Sequence, residues 1–363
     1  MAMTRAQKPV LLIGGIPGDS TEAILRKVGP VLGDLAVALP DGEAGIRRMW
    51  VGAVAMRVWS RHPALELVRK PRGAPGLPEG VPADYDDFWL YRSRPGTKRI
   101  VIETLHYPAD ARASYDIFVR LRREGVIPAG TRFQFGFPFP EDACREFTDN
   151  NADMEMMVAG YIAALKRDID TVCGAIPHED LLLQWEINWE TLAIEHGDYL
   201  ADAPPLDYKV NGDPFERYEG YMTDLSRCVP EGVKLGMHFC YGDLHHKHFS
   251  NPPDLGTCVR MADAARRSAG RRIDYVHMPV PRERSDDDYY RPLKDLDLGE
   301  ATLYIGLVHY TDGVAGSLAR LRAFKKNYSG PAGIAAECGL GRRPADQSLD
   351  ELLRIHREVA SAV

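Results

Sequence analysis

The amino-acid sequence predicts a (β/α)8 barrel, the TIM-barrel class of α/β fold. Short apolar segments rich in β-branched and aromatic residues recur along the chain, and amphipathic helical patterns separate most of them. Strands that are apolar on both faces are typical of parallel strands covered by helices. Eight such strand–helix units fit a closed barrel better than an open sheet. The predicted strands lie in the segments PVLLIGGIP, LAVALPDGE, RFQFGFPFP, LLLQWEINWE, VKLGMHFCYG, IDYVHMPVP, TLYIGLVHYTDG and PAGIAAECGLG.

The spacing of strands and helices is regular except after the second predicted strand, where residues 44–131 are too long for one helix. Within this insertion, Met49–Arg61 and Ala111–Glu124 have helical patterns. Phe88–Tyr107 is predicted to form a β-hairpin around the turn at Arg94–Thr97. An insertion at this point of the chain is expected to lie over the barrel mouth, where it would form one wall of a pocket.

The composition restricts the class of protein. With 363 residues, of which 45% are hydrophobic and 27% charged, we expect one globular barrel domain over residues 1–363. The net charge of -7 argues against a nucleic-acid partner. No apolar run is long enough for a membrane helix, and no secretory signal precedes the first strand. Six cysteines in such a chain predict a cytoplasmic protein, in which converging cysteines bind metals more often than they form disulfides.

Polar residues concentrate at the carboxyl ends of the predicted strands, which form the active-site face of a barrel of this class. Scattered by chance, about half of them would fall at the opposite ends. The residues at carboxyl ends are Asp41, Glu43, Glu186, Asn188, His238, Cys240, His277, His309, Asp312, Glu337 and Cys338. Their concentration predicts an active site at the barrel mouth.

A histidine and two cysteines in this group suit a metal ion. His238 and Cys240 are two residues apart, so in an extended strand both side chains point to the same face. Taken alone, such a pair is more often a buried histidine beside a free thiol. Cys338 ends the eighth predicted strand, and one imidazole with two thiolates is a donor set suited to zinc.

The order of these motifs resembles that of a known family. The motifs are Gly14–Pro17, Gly42–Arg47, Gln184–Glu186, His238–Tyr241, His309 and Glu337–Arg343. They are similar to the catalytic barrel of cobalamin-independent methionine synthase, in the superfamily that includes uroporphyrinogen decarboxylase. The resemblance spans nearly all of the strands, but about half of a full-length methionine synthase. It implies zinc at His238, Cys240 and Cys338, substrate binding by the stretch that contains Glu43 and Arg47, and a general-acid role for His309.

The sixth predicted strand departs from the family pattern. It has no glutamate where the family places its fourth zinc ligand. His277 is expected within coordinating or hydrogen-bonding reach of the metal, and Glu283, substrate or water are the alternatives for the fourth ligand. Two thiolates and two imidazoles would leave zinc formally neutral. Such a centre is a stronger Lewis acid, and a thiolate bound to it is a poorer nucleophile.

The remaining candidates complete the predicted site. Glu186 and Asp312 are predicted to act with His309 in catalysis, and Trp185, Asn188 and Arg342 are predicted to join Glu43 and Arg47 in binding the substrate. Aromatic residues near the predicted mouth favour an apolar or aromatic substrate; they include Trp50, Trp59, Trp89, Tyr91, Phe135, Phe137 and Phe139. His245, His246 and His248 are expected in a solvated loop, with Asp243 and His245 as candidates to orient the metal ligands.

Three functions are compatible with these residues. The leading hypothesis is a zinc-dependent enzyme that activates a thiol co-substrate for methyl or alkyl transfer involving a small molecule. In the second, zinc acts as a Lewis acid in a lyase, demethylase or hydrolase. In the third, the barrel binds a metal or another ligand without catalysis.

Overall fold

Eight parallel strands form the main sheet of the protein in a computed structural model, as the sequence predicts. The structure describes residues 3–73, 80–197, 210–245, 247–343 and 346–363. In chain order the strands are β1 (Thr4–Val10), β2 (Ala38–Pro40), β3 (Leu65–Arg69), β4 (Leu90–Ser93), β5 (Arg132–Pro138), β6 (Leu181–Ile187), β7 (Lys234–Phe239), β8 (Tyr275–Pro279), β9 (Thr302–Val308) and β10 (Pro331–Ala336). The order in the main sheet is β1-β10-β9-β8-β7-β6-β5-β2.

The two end strands of this order meet, which closes the sheet into a barrel. Val10, the last residue of β1, forms a parallel bridge with Ala36, two residues before β2. Its N–H donates to the carbonyl oxygen of Leu35 at 3.1 Å, and its carbonyl oxygen accepts from the N–H of Val37 at 3.0 Å. Closure leaves few backbone groups of these strands without a partner, which is the physical advantage of a barrel over an open sheet.

Helices follow the strands of the main sheet, as expected for parallel strands that need crossover connections. They are α1 (Thr21–Leu32), α2 (Val51–Arg57), α3 (Tyr107–Arg123), α4 (Pro140–Cys144), α5 (Asn151–Ala175), α6 (Trp189–His196), α7 (Pro214–Ser226), α8 (Gly256–Ser268), α9 (Asp287–Tyr290), α10 (Gly313–Asn327) and α11 (Leu349–Ala360). Several begin at side-chain caps; Asp213, for example, accepts from the N–H groups of Phe215 and Glu216. In the described part of the chain, no helix combines the length and the apolar character that a membrane crossing requires.

Alternation along β6 places polar groups inside the barrel and an aromatic group outside it. Gln184 Nε2 donates to the carbonyl oxygen of Ile13 at 2.6 Å, and Gln184 Oε1 accepts from the hydroxyl of Tyr275 at 2.6 Å. Trp185, the next residue, is fully buried and donates its indole N–H to Ser226 Oγ on α7 at 3.1 Å. Successive side chains of a strand point to opposite faces. Trp185 therefore faces the helices and not the barrel interior. This position does not agree with the prediction that Trp185 binds the substrate.

The insertion after β2 contains a hairpin, but the predicted pairing within it is wrong. β4 pairs antiparallel with β3, through Leu65 with Ser93 and Leu67 with Tyr91. The residues that follow the turn at Arg94–Thr97 form no strand, because they pack against α5 instead. Asp168 of α5 accepts from the N–H of Leu105 at 2.9 Å, and Ile100 and Ile102 are buried. Residues 74–79 of the insertion lie outside the described part.

Candidate metal centre and adjoining clefts

Three metal-ligating side chains converge where β7 and β10 end. The ligand atoms of His238, Cys240 and Cys338 all lie within 4.8 Å of one another, and the three residues are buried. Cys240 Sγ is 3.6 Å from Cys338 Sγ, and Cys338 Sγ is 3.6 Å from His238 Nε2. Tetrahedral zinc with ordinary bond lengths separates two sulfurs by about 3.8 Å and a nitrogen from a sulfur by about 3.6 Å. The donor set and these two distances fit zinc, and the third pair of ligand atoms lies within 4.8 Å.

His277 contacts the other nitrogen of the His238 ring. The Nδ1 atoms of the two histidines are 2.8 Å apart, and His277 Nε2 is 3.0 Å from the carbonyl oxygen of Ala336. Because a carbonyl oxygen can only accept, His277 carries its proton on Nε2 and accepts the Nδ1–H of His238. His238 Nε2, which faces Cys338, is then the nitrogen with a free lone pair.

His277 thus takes the hydrogen-bonding position, one of the two predicted for it, and is not part of the cluster of ligand atoms. His238 and His277 are paired across the β7–β8 register, so both side chains point to the same face and their rings meet. Burial lowers the pKa of His277 to about 3, and burial together with His277 lowers the pKa of His238 well below its usual value. Both imidazoles are therefore neutral, as a metal ligand and its orienting partner need to be.

The two cysteines share a proton. Their hydrogen bond lowers the pKa of Cys240, whereas the same bond and burial raise the pKa of Cys338 well above its usual value. Of the two thiols, Cys240 is therefore the one that loses its proton more readily. A cation that binds both sulfurs would displace the shared proton.

Glu337 connects two histidines beside this centre, an arrangement that the sequence analysis did not predict. Glu337 Oε2 is 3.0 Å from His248 Nε2, and Glu337 Oε1 is 3.3 Å from His309 Nδ1. His309 Nε2 donates to the carbonyl oxygen of Val280 at 2.8 Å. Burial disfavours the charged forms of Glu337 and His248. The two histidines nevertheless hold the pKa of Glu337 well below its usual range, and Glu337 raises the pKa of His248 to about 9.

Glu43 and Glu186 approach each other on another side of the same cleft. A Cβ atom on Gly14 would lie 3.2 Å from a carboxylate oxygen of each, and one on Gly136 would lie 2.2 Å from Glu186 Oε1. These glycines therefore leave the space that the carboxyl groups occupy. Burial and the charge of Glu43 raise the pKa of Glu186 to about 8. Burial also raises the pKa of Glu43, whose backbone has φ of 54°, a strained conformation that often marks a functional residue.

The metal centre and the two carboxyl groups line one small cleft of about 40 Å³. Of the predicted substrate-binding residues, Glu43, Asn188 and Arg342 also line it. Arg342 lies with its guanidinium carbon 5.5 Å from the centroid of the Trp50 ring. The cleft thus combines the predicted metal ligands with carboxyl, amide and guanidinium groups.

Two predicted site residues are engaged elsewhere. Arg47 forms an ion pair with buried Asp41, and its guanidinium carbon lies 4.2 Å from the centroid of the Phe135 ring. Asp312 accepts two hydrogen bonds from Arg320, at 2.7 and 2.8 Å, just before α10. Neither side chain lines the cleft at the metal centre, and the predicted general acid His309 does not line it either.

A second, larger cleft adjoins the first. Trp50 and Trp89 line it, whereas the other aromatic residues predicted near the mouth are buried in the core. His245 also lines it and contacts the carbonyl oxygen of Pro82 through Nε2 at 2.8 Å. His246 lies outside the described residues.

Comparisons with known proteins agree with this architecture. No protein-family model matches the sequence, and no curated protein matches it. Among solved structures, the fold is similar to that of a B12-independent methionine synthase from Shewanella sp. W3-18-1 in complex with selenomethionine. That match has a TM-score of 0.60 and 11% identity and covers 98% of each chain.

A candidate vitamin-B12-independent methionine synthase from Listeria monocytogenes is similar as well. The TM-score is 0.53 with 13% identity, over 95% of this chain and 86% of that one. The fold and site thus define a (β/α)8 barrel with a buried histidine–cysteine–cysteine cluster at its mouth. Its fold is that of the cobalamin-independent methionine synthase structures.

Proposed function

We propose that this protein is a zinc-dependent enzyme that activates a thiol for methyl or alkyl transfer involving a small molecule. The observation that carries the proposal is the convergence of His238, Cys240 and Cys338, in which Cys338 Sγ lies 3.6 Å from both Cys240 Sγ and His238 Nε2, as zinc ligands do. Three protein ligands are typical of catalytic zinc, which keeps a position for a substrate atom. Zinc held there would supply the positive charge that deprotonates a thiol near neutral pH.

The residues around the cluster prepare it for that role. His277 fixes the ring of His238 and leaves Nε2 free to bind a cation. Arg342 is surrounded by Asp243, Cys338, Glu43 and Cys240, so it balances part of the negative charge of the thiolates. With neutral His277 behind the cluster instead of a fourth anionic ligand, the centre would carry less negative charge than a site that includes a glutamate.

The carboxyl pair is suited to holding the substrate. Burial and the charge of Glu43 raise the pKa of Glu186 to about 8, so the pair holds a proton at neutral pH. Such a pair can accept hydrogen bonds from a substrate ammonium or hydroxyl group and can donate one as well. The Shewanella structure holds selenomethionine, which has an ammonium group and an alkylated selenium. We infer that Glu43, Glu186 and Asn188 hold a comparable small molecule here.

His309 is the proposed proton donor to the leaving group. Its Nε2–H donates to the carbonyl oxygen of Val280, and its Nδ1 faces Glu337 Oε1. The other carboxylate oxygen of Glu337 contacts His248. Both ring nitrogens are thus engaged within the protein, and His309 does not line the cleft at the metal centre, so its ring must release one of these contacts to reach a leaving group. The ion pair of Asp312 with Arg320 favours a structural role for Asp312. We also propose that residues 1–363 form one domain, with residues 44–131 walling the clefts.

Cobalt substitution tests the proposal without knowledge of the methyl donor. Protein loaded with one Co²⁺ per chain should show sulfur-to-cobalt charge-transfer absorption, because two thiolates bind the ion. Addition of 2-mercaptoethanol should increase that absorption as a third sulfur binds, whereas ethylene glycol, which lacks sulfur, should leave it unchanged. A spectrum that does not respond to the thiol would overturn the thiol-activating function and favour Lewis-acid chemistry. Failure to bind one ion would overturn the metal site.

A further inference from the structure

The larger cleft beside the metal centre, which we call the aromatic cleft, is a second binding site. Trp50, Tyr85, Phe88 and Trp89 supply its aromatic wall, and all four come from the insertion after β2. Phe88 and Trp89 are each more than nine-tenths buried, so their rings are fixed in place. A rigid aromatic wall is typical of a pocket for a flat, largely apolar ligand.

The aromatic cleft opens into the cleft at the metal centre. Trp50, Asn188, Asp243 and Arg342 line both of them. A ligand in the aromatic cleft would therefore lie next to a group bound at His238, Cys240 and Cys338. This adjacency is what a transfer reaction between two substrates requires.

Asn188 and Glu146, which line the aromatic cleft, each have a buried polar atom without a partner among the described residues. Asn188 Nδ2 makes no hydrogen bond, although Asn188 is only 5% exposed, and Glu146 Oε1 makes none, although Glu146 is only 3% exposed. A buried polar atom without a partner is unfavourable, because it has lost its hydrogen bonds to water. Groups placed in this way in a concave site are those that bind a ligand.

The side chain of Glu146 offers a proton to such a ligand. Its Oε2 accepts the indole N–H of Trp189 at 3.1 Å. Burial raises the pKa of Glu146 to about 8, so the group is a neutral carboxylic acid at pH 7. Because Oε2 accepts from the indole, the unpartnered Oε1 is the oxygen that carries the proton. Glu146 Oε1 and Asn188 Nδ2 are thus two donors that call for acceptor atoms.

We propose that the aromatic cleft binds the second substrate of the transfer reaction, an aromatic ring that carries oxygen acceptors such as hydroxyl or methoxy groups. The ring contacts the wall formed by Trp50, Phe88 and Trp89, and its oxygens accept from Glu146 and Asn188. The identification of this ligand as a substrate rests on the proposed function, whereas its binding does not.

Isothermal titration of the zinc-loaded protein with 4-methoxyphenol tests the inference. We expect one site per chain. 4-Methoxycyclohexanol has the same oxygens without the aromatic ring and should bind at least tenfold more weakly. Absence of binding by 4-methoxyphenol, or equal binding of the two compounds, would overturn the proposal.

A pair of variants tests the role of Glu146. Glu146→Gln keeps a donor toward the cleft and an acceptor for Trp189, so affinity for 4-methoxyphenol should stay within about threefold of the parent protein. Glu146→Met has a similar size but no donor and should weaken binding roughly tenfold. Equal affinities of the two variants would contradict the assigned contact. If the Met variant does not fold, the affinity of the Gln variant remains as the test. Zinc content, measured in the same samples, separates failure at this site from failure of the metal centre.

Discussion

The metal centre and the aromatic cleft are neighbours that differ in how their polar groups are satisfied. At the centre, His238, His277, Cys240 and Cys338 each have a hydrogen-bond partner within the protein. In the aromatic cleft, Asn188 Nδ2 and Glu146 Oε1 have none among the described residues. The first site is held in its binding geometry by the barrel itself, whereas the second is completed by a ligand. The comparison indicates that strand ends fix the reactive group and that the insertion selects its partner.

The largest expected effect is on the metal centre. Cys240→Ser should lose most of the bound zinc, since a hydroxyl is a far poorer ligand than a thiolate at neutral pH. Metal analysis of the purified variant checks this loss. Cys228→Ser, at a cysteine outside the cluster, is the control and should keep its zinc. Full zinc occupancy in Cys240→Ser would show that the ligand assignment is wrong.

The next effect concerns proton transfer beside the centre. His309→Gln should lower turnover by roughly 10²–10⁴ with a methyl donor whose leaving group needs a proton. It should not slow methylation of the bound thiol by methyl iodide, because iodide leaves without a proton. The S-methyl product measures both rates, with His356→Gln, a buried histidine on α11, as the control. Equal losses with both donors would point to structural damage rather than to a lost acid.

A smaller effect is expected at the histidine behind the ligands. His277→Ala removes the acceptor for the Nδ1–H of His238 and should weaken zinc affinity by roughly 10–100-fold. The charge-transfer absorption of the cobalt-substituted variant should persist, since both thiolates remain. His356→Ala serves as the control. If the loss were far larger and the spectrum indicated one ligand fewer, His277 would be a ligand after all.

The smallest effect is on stability, and it arises at Glu190, which lines neither cleft. Burial and the charge of Glu141 raise the pKa of Glu190 to about 8. Between about pH 5 and pH 8 the folded state therefore retains a proton that the unfolded state releases, and stability falls as the pH rises. One such proton contributes a slope of at most about 1.4 kcal/mol per pH unit. Urea unfolding across this range should show a flatter profile for Glu190→Gln, but not for Glu300→Gln, which alters an exposed carboxyl. An unchanged slope in Glu190→Gln would contradict the assignment.

The sequence predicted the barrel and the convergence at its mouth because both follow from strand periodicity. His238, Cys240 and Cys338 fall at the ends of strands whose parallel order brings them together. Periodicity did not determine which face of β6 Trp185 occupies, since both faces of these strands are buried. Nor did it predict the bridge made by Glu337, because β10 ends at Ala336 and strict alternation ends with it.

The insertion was the least predictable part, for a physical reason. The turn at Arg94–Thr97 suggested a hairpin, but the pairing of a short strand depends on which partner tertiary packing supplies. Here β3 supplies it, and α5 takes the segment after the turn. The aromatic cleft depends on this arrangement, so its donors were not visible in the sequence as a group.

X-ray absorption at the zinc edge tests the central claim most directly. For the zinc-loaded protein, the spectrum should indicate two sulfur neighbours at about 2.3 Å, together with nitrogen or oxygen neighbours at about 2.0–2.1 Å. In the presence of 2-mercaptoethanol the sulfur number should rise to three. A first coordination sphere without sulfur would contradict the metal centre described here, and a sulfur number that stays at two would contradict its function in activating a thiol.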